Sequence, residues 1–240
     1  MEIVKIFIGE IKSFSQKNWW LYLIYAVMLI VIYYLQPTSL FVVVVMSTGH
    51  FIADIFIMMM FTAYSQSKFK IGSSFQVISM LLFFLLKLWT AIIQKEWHYL
   101  SADIIYALSA YKNYQLDVRK HKIKFIHPKA LTILSLLIIL GVWLPLKYYS
   151  VITIFDNYLQ IVQTIGIFLF GIALSYTGDE QKRYYFSIAS LFIMVFGSAA
   201  ATINKLEGGQ LLTGLEFSYA ILPLTVLVFY LGQWKKFWYA

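Results

Sequence analysis

Eight apolar runs separated by short polar stretches organise this chain, at positions 19–35, 40–63, 75–93, 100–115, 130–149, 155–176, 184–204 and 210–231. A bilayer core takes about 20 predominantly apolar residues per helix, within a range of about 17 to 25. Each run therefore predicts one membrane-spanning helix. The fourth is the shortest and most polar. Ahead of them, residues 1–18 mix Lys5, Lys12 and Lys17 with Glu2, Glu10 and apolar positions, the pattern of an amphipathic lead on the cytoplasmic surface.

Charge placement adds orientation. Of the 19 Lys and Arg residues, fifteen fall on one set of alternate connections: the N-terminus, Lys68/Lys70, Lys112 to Lys129, Lys182/Arg183 and Lys235/Lys236. The other set holds only Lys95, Lys147 and Lys205, and Lys87 lies inside a run. Basic residues collect on the cytoplasmic side of short loops, so both termini are expected to be cytoplasmic, in a multi-pass protein of a bacterial-type plasma (inner) membrane. Trp19, Trp20, Trp97, Trp234 and Trp238 stand at run ends, as interfacial aromatics do.

Composition agrees with this class: 61% of residues are apolar, 12% are charged and the mean hydropathy is +0.75. The net charge of +8 is accounted for by attraction to an anionic leaflet, so no nucleic-acid partner is expected. With no cysteine, disulfides and thiolate metal sites are excluded.

Positions in the second half echo the first. Thr62-Ala63-Tyr64 matches Leu174-Ser175-Tyr176, Phe75 and Ser79 match Phe186 and Ser190, and Asp103, Tyr106 and Ala107 match Glu216, Tyr219 and Ala220, at offsets of 112, 111 and 113 residues. Equivalent helices then lie four spans apart and run the same way. The fold expected is an all-α integral membrane protein of eight transmembrane helices, built as two parallel three-helix repeats (39–115 and 155–233). A basic loop and linker helix (116–150) joins them, one extra N-terminal helix (19–36) precedes them and a cytoplasmic tail (234–240) follows.

The stretch Ala107-Leu108-Ser109-Ala110-Tyr111-Lys112-Asn113-Tyr114 resembles the ALSxYGWY segment of the PnuC vitamin-transporter family, whose best-known members carry nicotinamide riboside. The last helix, with Leu215-Glu216 near its start and Trp234 near its end, is also similar. The resemblance spans about residues 40 to 238. It implies two helical triads around a small-molecule path, and a separate cytosolic kinase that traps the substrate. In that family a WxxWxxxN pattern contacts the ligand; this chain has Arg183, Phe186 and Ser190 at that spacing, and Lys112-Asn113 replaces Gly-Trp. A different small ligand, or no transport at all, therefore stays open.

Ionisable residues inside a membrane are costly and mark functional sites by default. Lys87, Asp103 and Glu216 are expected at similar depth in the outer half, either lining a hydrated cavity or, for Lys87 and Asp103, pairing as a structural bridge. Tyr106 and Tyr219 share a helix face with their acids and offer ring and hydroxyl to a polar heteroaromatic ligand. His50 and Asp54, four apart on one face, and Gln160 and Gln163 on the equivalent helix, suit interhelical hydrogen bonding or proton coupling.

The ligand-binding set is thus Lys87, Asp103, Tyr106, Phe186, Ser190, Glu216 and Tyr219. No nucleophile elbow, HExxH or dinucleotide fingerprint occurs, so neither an enzyme nor a cofactor is expected. The function expected is facilitated uptake of a small polar vitamin-like or nucleoside-like molecule. The alternative is a non-transporting membrane receptor or accessory protein that binds a peptide, lipid or partner subunit. Homo-oligomerisation stays open.

Overall fold

The computed structural model describes residues 2–35, 40–94, 100–121, 126–143, 154–176, 179–207 and 214–233, and the regular structure among them is helical. The α-helices are α1 (Glu2–Lys17), α2 (Trp19–Leu35), α3 (Leu40–Ser65), α4 (Phe69–Gln94), α5 (Ser101–Asp117), α6 (Pro128–Ile138), α7 (Ile154–Leu174), α8 (Glu180–Glu207) and α9 (Gly214–Leu231); a π-helical turn (Ile139–Trp143) continues α6. By length and composition α3, the Phe69–Trp89 part of α4 and the Gln181–Ala200 part of α8 suffice to cross a membrane. The pair Lys5–Lys17 and Trp19–Leu35 passes together, bent by 72°, and Pro128–Gly141, Thr164–Leu174 and Ala220–Leu231 are shorter apolar helices. The molecule is a helical membrane protein.

Local chemistry sets the helix ends. After α3, the Ser67 N–H bonds to Tyr64 O at 2.9 Å and the Lys68 N–H to Ala63 O at 2.9 Å, with Ser67 at φ 57°. This is the double bond and left-handed residue of a Schellman stop, with serine where glycine is usual. It lets α4 begin at Phe69, six residues before the apolar run at Phe75. Similarly α8 begins at Glu180 rather than 184, because the Asp179 carboxylate accepts the Lys182 N–H at 3.0 Å and caps the first turn. The hydrogen bond from the Lys182 side chain, with this backbone bond second, holds the Asp179 carboxyl below the usual carboxylate range. Pro128 opens α6 where its missing N–H costs nothing, and the His127 ring accepts from the Lys129 N–H at 3.2 Å.

Six helices close a ring. In order of contact they are α3, α4, α5, α7, α8 and α9, and α9 returns to α3. Hydrogen bonds and ring contacts trace the same circuit at one end of the bundle. Tyr64 meets Ser73 and Gln76, Gln76 meets Asn113, Asn113 meets Leu174, Arg183 reaches both Tyr176 and Tyr64, Tyr184 meets Tyr230, and Tyr230 meets Phe61. At this end α3, α5, α7 and α9 finish and α4 and α8 begin. Gly171 of α7 lies where an added Cβ would sit 3.0 Å from Ile105 Cγ2 and 3.1 Å from the Tyr106 amide, so a larger residue would push α5 and α7 apart.

Two helices flank the ring. α2 packs on α3, the helix that follows it, and on α9; α6 packs on α7, the helix that follows it, and on α5. The expected extra N-terminal helix and the expected linker helix thus hold corresponding places. α3 is the most enclosed of the three helices long and apolar enough to cross a membrane, with Ala53, Met58, Met60 and Tyr64 at 0 to 1% exposure. α1 turns away at Asn18, whose side-chain amide bonds to Phe14 O at 2.9 Å, and lies across the Tyr64 end of the ring.

Candidate functional site

Polar residues inside the ring line up along the α4/α5 contact. On α4, Ser73, Gln76 and Ser79 recur every three residues; on α5, Tyr106, Ser109, Asn113 and Asp117 recur every three or four, so each set shares one helix face. The two stripes pair antiparallel. Ser73 Oγ donates to Asp117 Oδ2. Gln76 Nε2 donates to Ser109 Oγ at 3.3 Å, and its Oε1 accepts from Asn113 Nδ2 at 2.8 Å and from the Tyr64 hydroxyl at 3.1 Å. The Tyr106 hydroxyl donates to Ser79 Oγ at 3.1 Å. Lys87 and Asp103 close the far end as an ion pair, Nζ to Oδ1, at 2.7 Å. Ser73, Gln76, Ser79, Ser109 and Asn113 are fully buried. A buried network with its members paired rigidifies the elements it joins.

From the Asn113 level the network leaves α5 for the second half. Asn113 Nδ2 donates to Leu174 O at 2.9 Å, and Lys112 Nζ donates to Ser175 O. Arg183, fully buried, donates from Nε to Tyr176 O at 3.1 Å and stacks its guanidinium on the Tyr64 ring, 4.3 Å from the centroid. An aromatic layer fills the ring beside it: Phe61 meets Tyr230 at 4.0 Å and Phe170 at 6.5 Å, and Phe170 meets Tyr106 at 6.2 Å.

The expected ligand set divides. Lys87, Asp103 and Tyr106 come together on the α4/α5 face, with Asp103 Oδ2 buried and lacking a hydrogen-bond partner among the described residues. Asp54 and His50 are buried on one face of α3. His50 Nδ1 lies 2.8 Å from Met46 O, and Asp54 is within electrostatic reach of Tyr106. Among the described residues no hydrogen bond or ion pair reaches the Asp54 carboxylate. Ser190 is buried but donates at 2.8 Å to Ser187 O of its own helix.

Phe186 requires a correction. It is 49% exposed and stacks on Tyr176 at 5.3 Å, facing away from the ring interior. Arg183, Ser187 and Ser190 take the inward stripe of α8, and position 186 falls off it. Tyr184 supplies the buried aromatic instead, its hydroxyl donating to Tyr230 O at 2.8 Å. The side chains of Gln160, Gln163, Glu216 and Tyr219 lie outside the described residues.

Sequence reading did not single out Gln76 and Tyr230 and took Asn113 only as a departure from a motif. The available signal was the three- and four-residue spacing of polar residues on α4 and α5. Among the described residues no cluster of three or more His, Asp or Glu side chains is placed to hold a metal. No protein-family model matches the chain, and neither curated proteins nor solved structures give a match.

Proposed function

We propose that this protein is a membrane facilitator that binds a small polar, vitamin-like or nucleoside-like molecule between its two halves and passes it across without nucleotide hydrolysis. The observation that carries the reading is the closed ring with Asp54, Asp103 and Tyr106 buried among its helices: carboxylates and a phenol are costly in a hydrocarbon setting unless they serve a path or a ligand. On this reading the eight apolar runs all span the membrane, and the Tyr64 end is cytoplasmic. The halves are parallel repeats, rotated about the membrane normal.

The corresponding places of α2 and α6 support a repeat of four helices each, α2–α5 and α6–α9, rather than three plus a linker. So does a recurring contact: Ser73 to Asp117 in the first half returns as Tyr184 to Tyr230 in the second, displaced by 111 and 113 residues. The resemblance of residues 107–114 to the PnuC segment supports the same class of ligand, and a separate cytosolic kinase would then hold the product inside the cell.

Proteoliposomes carrying the full chain are expected to take up at least one of thiamine, riboflavin, nicotinamide riboside and the common nucleosides with saturation, and Asp103→Asn to abolish that flux. Absence of saturable uptake for all of them contradicts the proposal. The second reading, a receptor or accessory protein that transports nothing, is favoured by the aromatic layer of Phe61, Phe170 and Tyr230 that fills the ring. It predicts binding with no flux.

A further inference from the structure

We infer that α1 is a hinged lid over the cytoplasmic end of the α3/α9 seam, with the Glu10–Lys68 ion pair as its latch. The inference rests on the ring being a path, because the seam joins the two halves; its test reads accessibility instead of flux, so the two readings fail separately.

α1 touches both halves and belongs to neither. Phe7 packs on Phe75 of α4 at 4.5 Å, and Glu10 pairs with Lys68 of the α3/α4 turn at 2.6 Å, both in the first half. Phe14, 5% exposed, packs on Phe229 of α9 at 5.8 Å, in the second. One amphipathic helix therefore bridges the two bodies that would move against each other. Its joint with α2 is a single residue, Asn18, at a 72° bend.

What lies beneath α1 is the second observation. α1 seats Phe7, Ile11 and Phe14 on the core, and beside that seat a cleft of about 510 Å³, partly open to solvent, runs between α1 and the ends of α3 and α9. Met59, Phe75 and Phe229 form its apolar walls; Ser13, Asn18, Thr62, Gln66 and Gln233 bring hydrogen-bonding groups to it. Gln233 Oε1 is buried without a partner among the described residues. A space this large and polar holds water, where an apolar void would only weaken the packing. α1 is thus held by Phe7, Ile11 and Phe14 and by a half-exposed ion pair, beside a cleft with polar groups on its walls. Exposed ion pairs are individually weak. A single charge change is enough to release a latch built on one.

Thr62 lines the cavity and the chain has no cysteine, so Thr62→Cys in the full chain, reconstituted in phospholipid vesicles, provides one reporter thiol. A membrane-impermeant maleimide is applied from the Lys68 side. Slow labelling is expected with the latch intact. Adding Glu10→Lys should raise the rate about fivefold, as loss of a surface ion pair allows, and Glu10→Lys with Phe14→Ala by about tenfold or more. The charge swap Glu10→Lys with Lys68→Glu should restore slow labelling. Rates unchanged by Glu10→Lys, fast labelling of the parent, or a swap that fails to restore protection would each overturn the lid. If the Phe14 variant does not fold, Glu10→Lys and its swap decide alone.

Discussion

The two halves share a packing scheme and differ in chemistry. In α2–α5 the contact between the last two helices carries a ladder of buried polar pairs, Ser73 with Asp117, Gln76 with Ser109 and Asn113, Ser79 with Tyr106 and Lys87 with Asp103. In α6–α9 the contact between α8 and α9 keeps the Tyr184–Tyr230 rung, while the positions matching Ser109 and Asn113 are Leu222 and Val226, both buried and apolar. Ser187, which matches Gln76, faces the Tyr230 hydroxyl, but neither oxygen has a well-directed hydrogen bond among the described residues. Directional bonds fix one register and apolar contacts tolerate sliding. At these middle levels, among the described residues, directional bonds fix α4 on α5 where apolar contacts join α8 to α9, so on the proposed function the second half is the one that adjusts.

Breaking the ladder at its ion pair should cost most. Lys87→Ala leaves the Asp103 carboxylate, 4% exposed, without its partner, and a loss of about 3–5 kcal/mol is expected in detergent unfolding. Lys87→Met with Asp103→Leu, which removes both charges, should recover most of that loss.

A middle rung gives the direct contrast between halves. Gln76→Leu removes one hydrogen bond each from Asn113, Tyr64 and Ser109 and should destabilise by about 1–3 kcal/mol, whereas the matching Ser187→Ala should change stability by less than about 0.5 kcal/mol. Equal losses at the two positions would remove the asymmetry. A modest gain is expected at the turn that sets the register of α4. Ser67→Gly relieves a left-handed backbone at φ 57° and should stabilise by about 0.5–1 kcal/mol in the same assay.

Much of the helical layout is legible in the apolar runs, because a helix facing lipid or a packed ring shows its length as hydropathy. Helix starts are not. Lys70, Gly72 and Ser73 read as loop, yet the Ser67 turn carries them into α4, and the Asp179 cap does the same for Glu180 to Arg183. The Lys87–Asp103 pair could be read because two charges in apolar surroundings have few other ways to persist. Gln76 and Asn113 could not be read as a pair, since the polar spacing marks a face of each helix but not which residues meet across the contact. The WxxWxxxN spacing points to Phe186, but the buried stripe of α8 runs through Arg183, Ser187 and Ser190 and leaves position 186 outside it. The equivalence of α2 and α6 is a matter of packing, and no residue match announces it.

Amide hydrogen exchange on the full chain in lipid nanodiscs tests the central asymmetry most directly. The account predicts that amides of 76–87 and 103–113 exchange about tenfold or more slowly than those of 187–198 and 220–226, a gap of about 1.4 kcal/mol in local opening. Equal protection in the two hairpins, or faster exchange in the first, would contradict it.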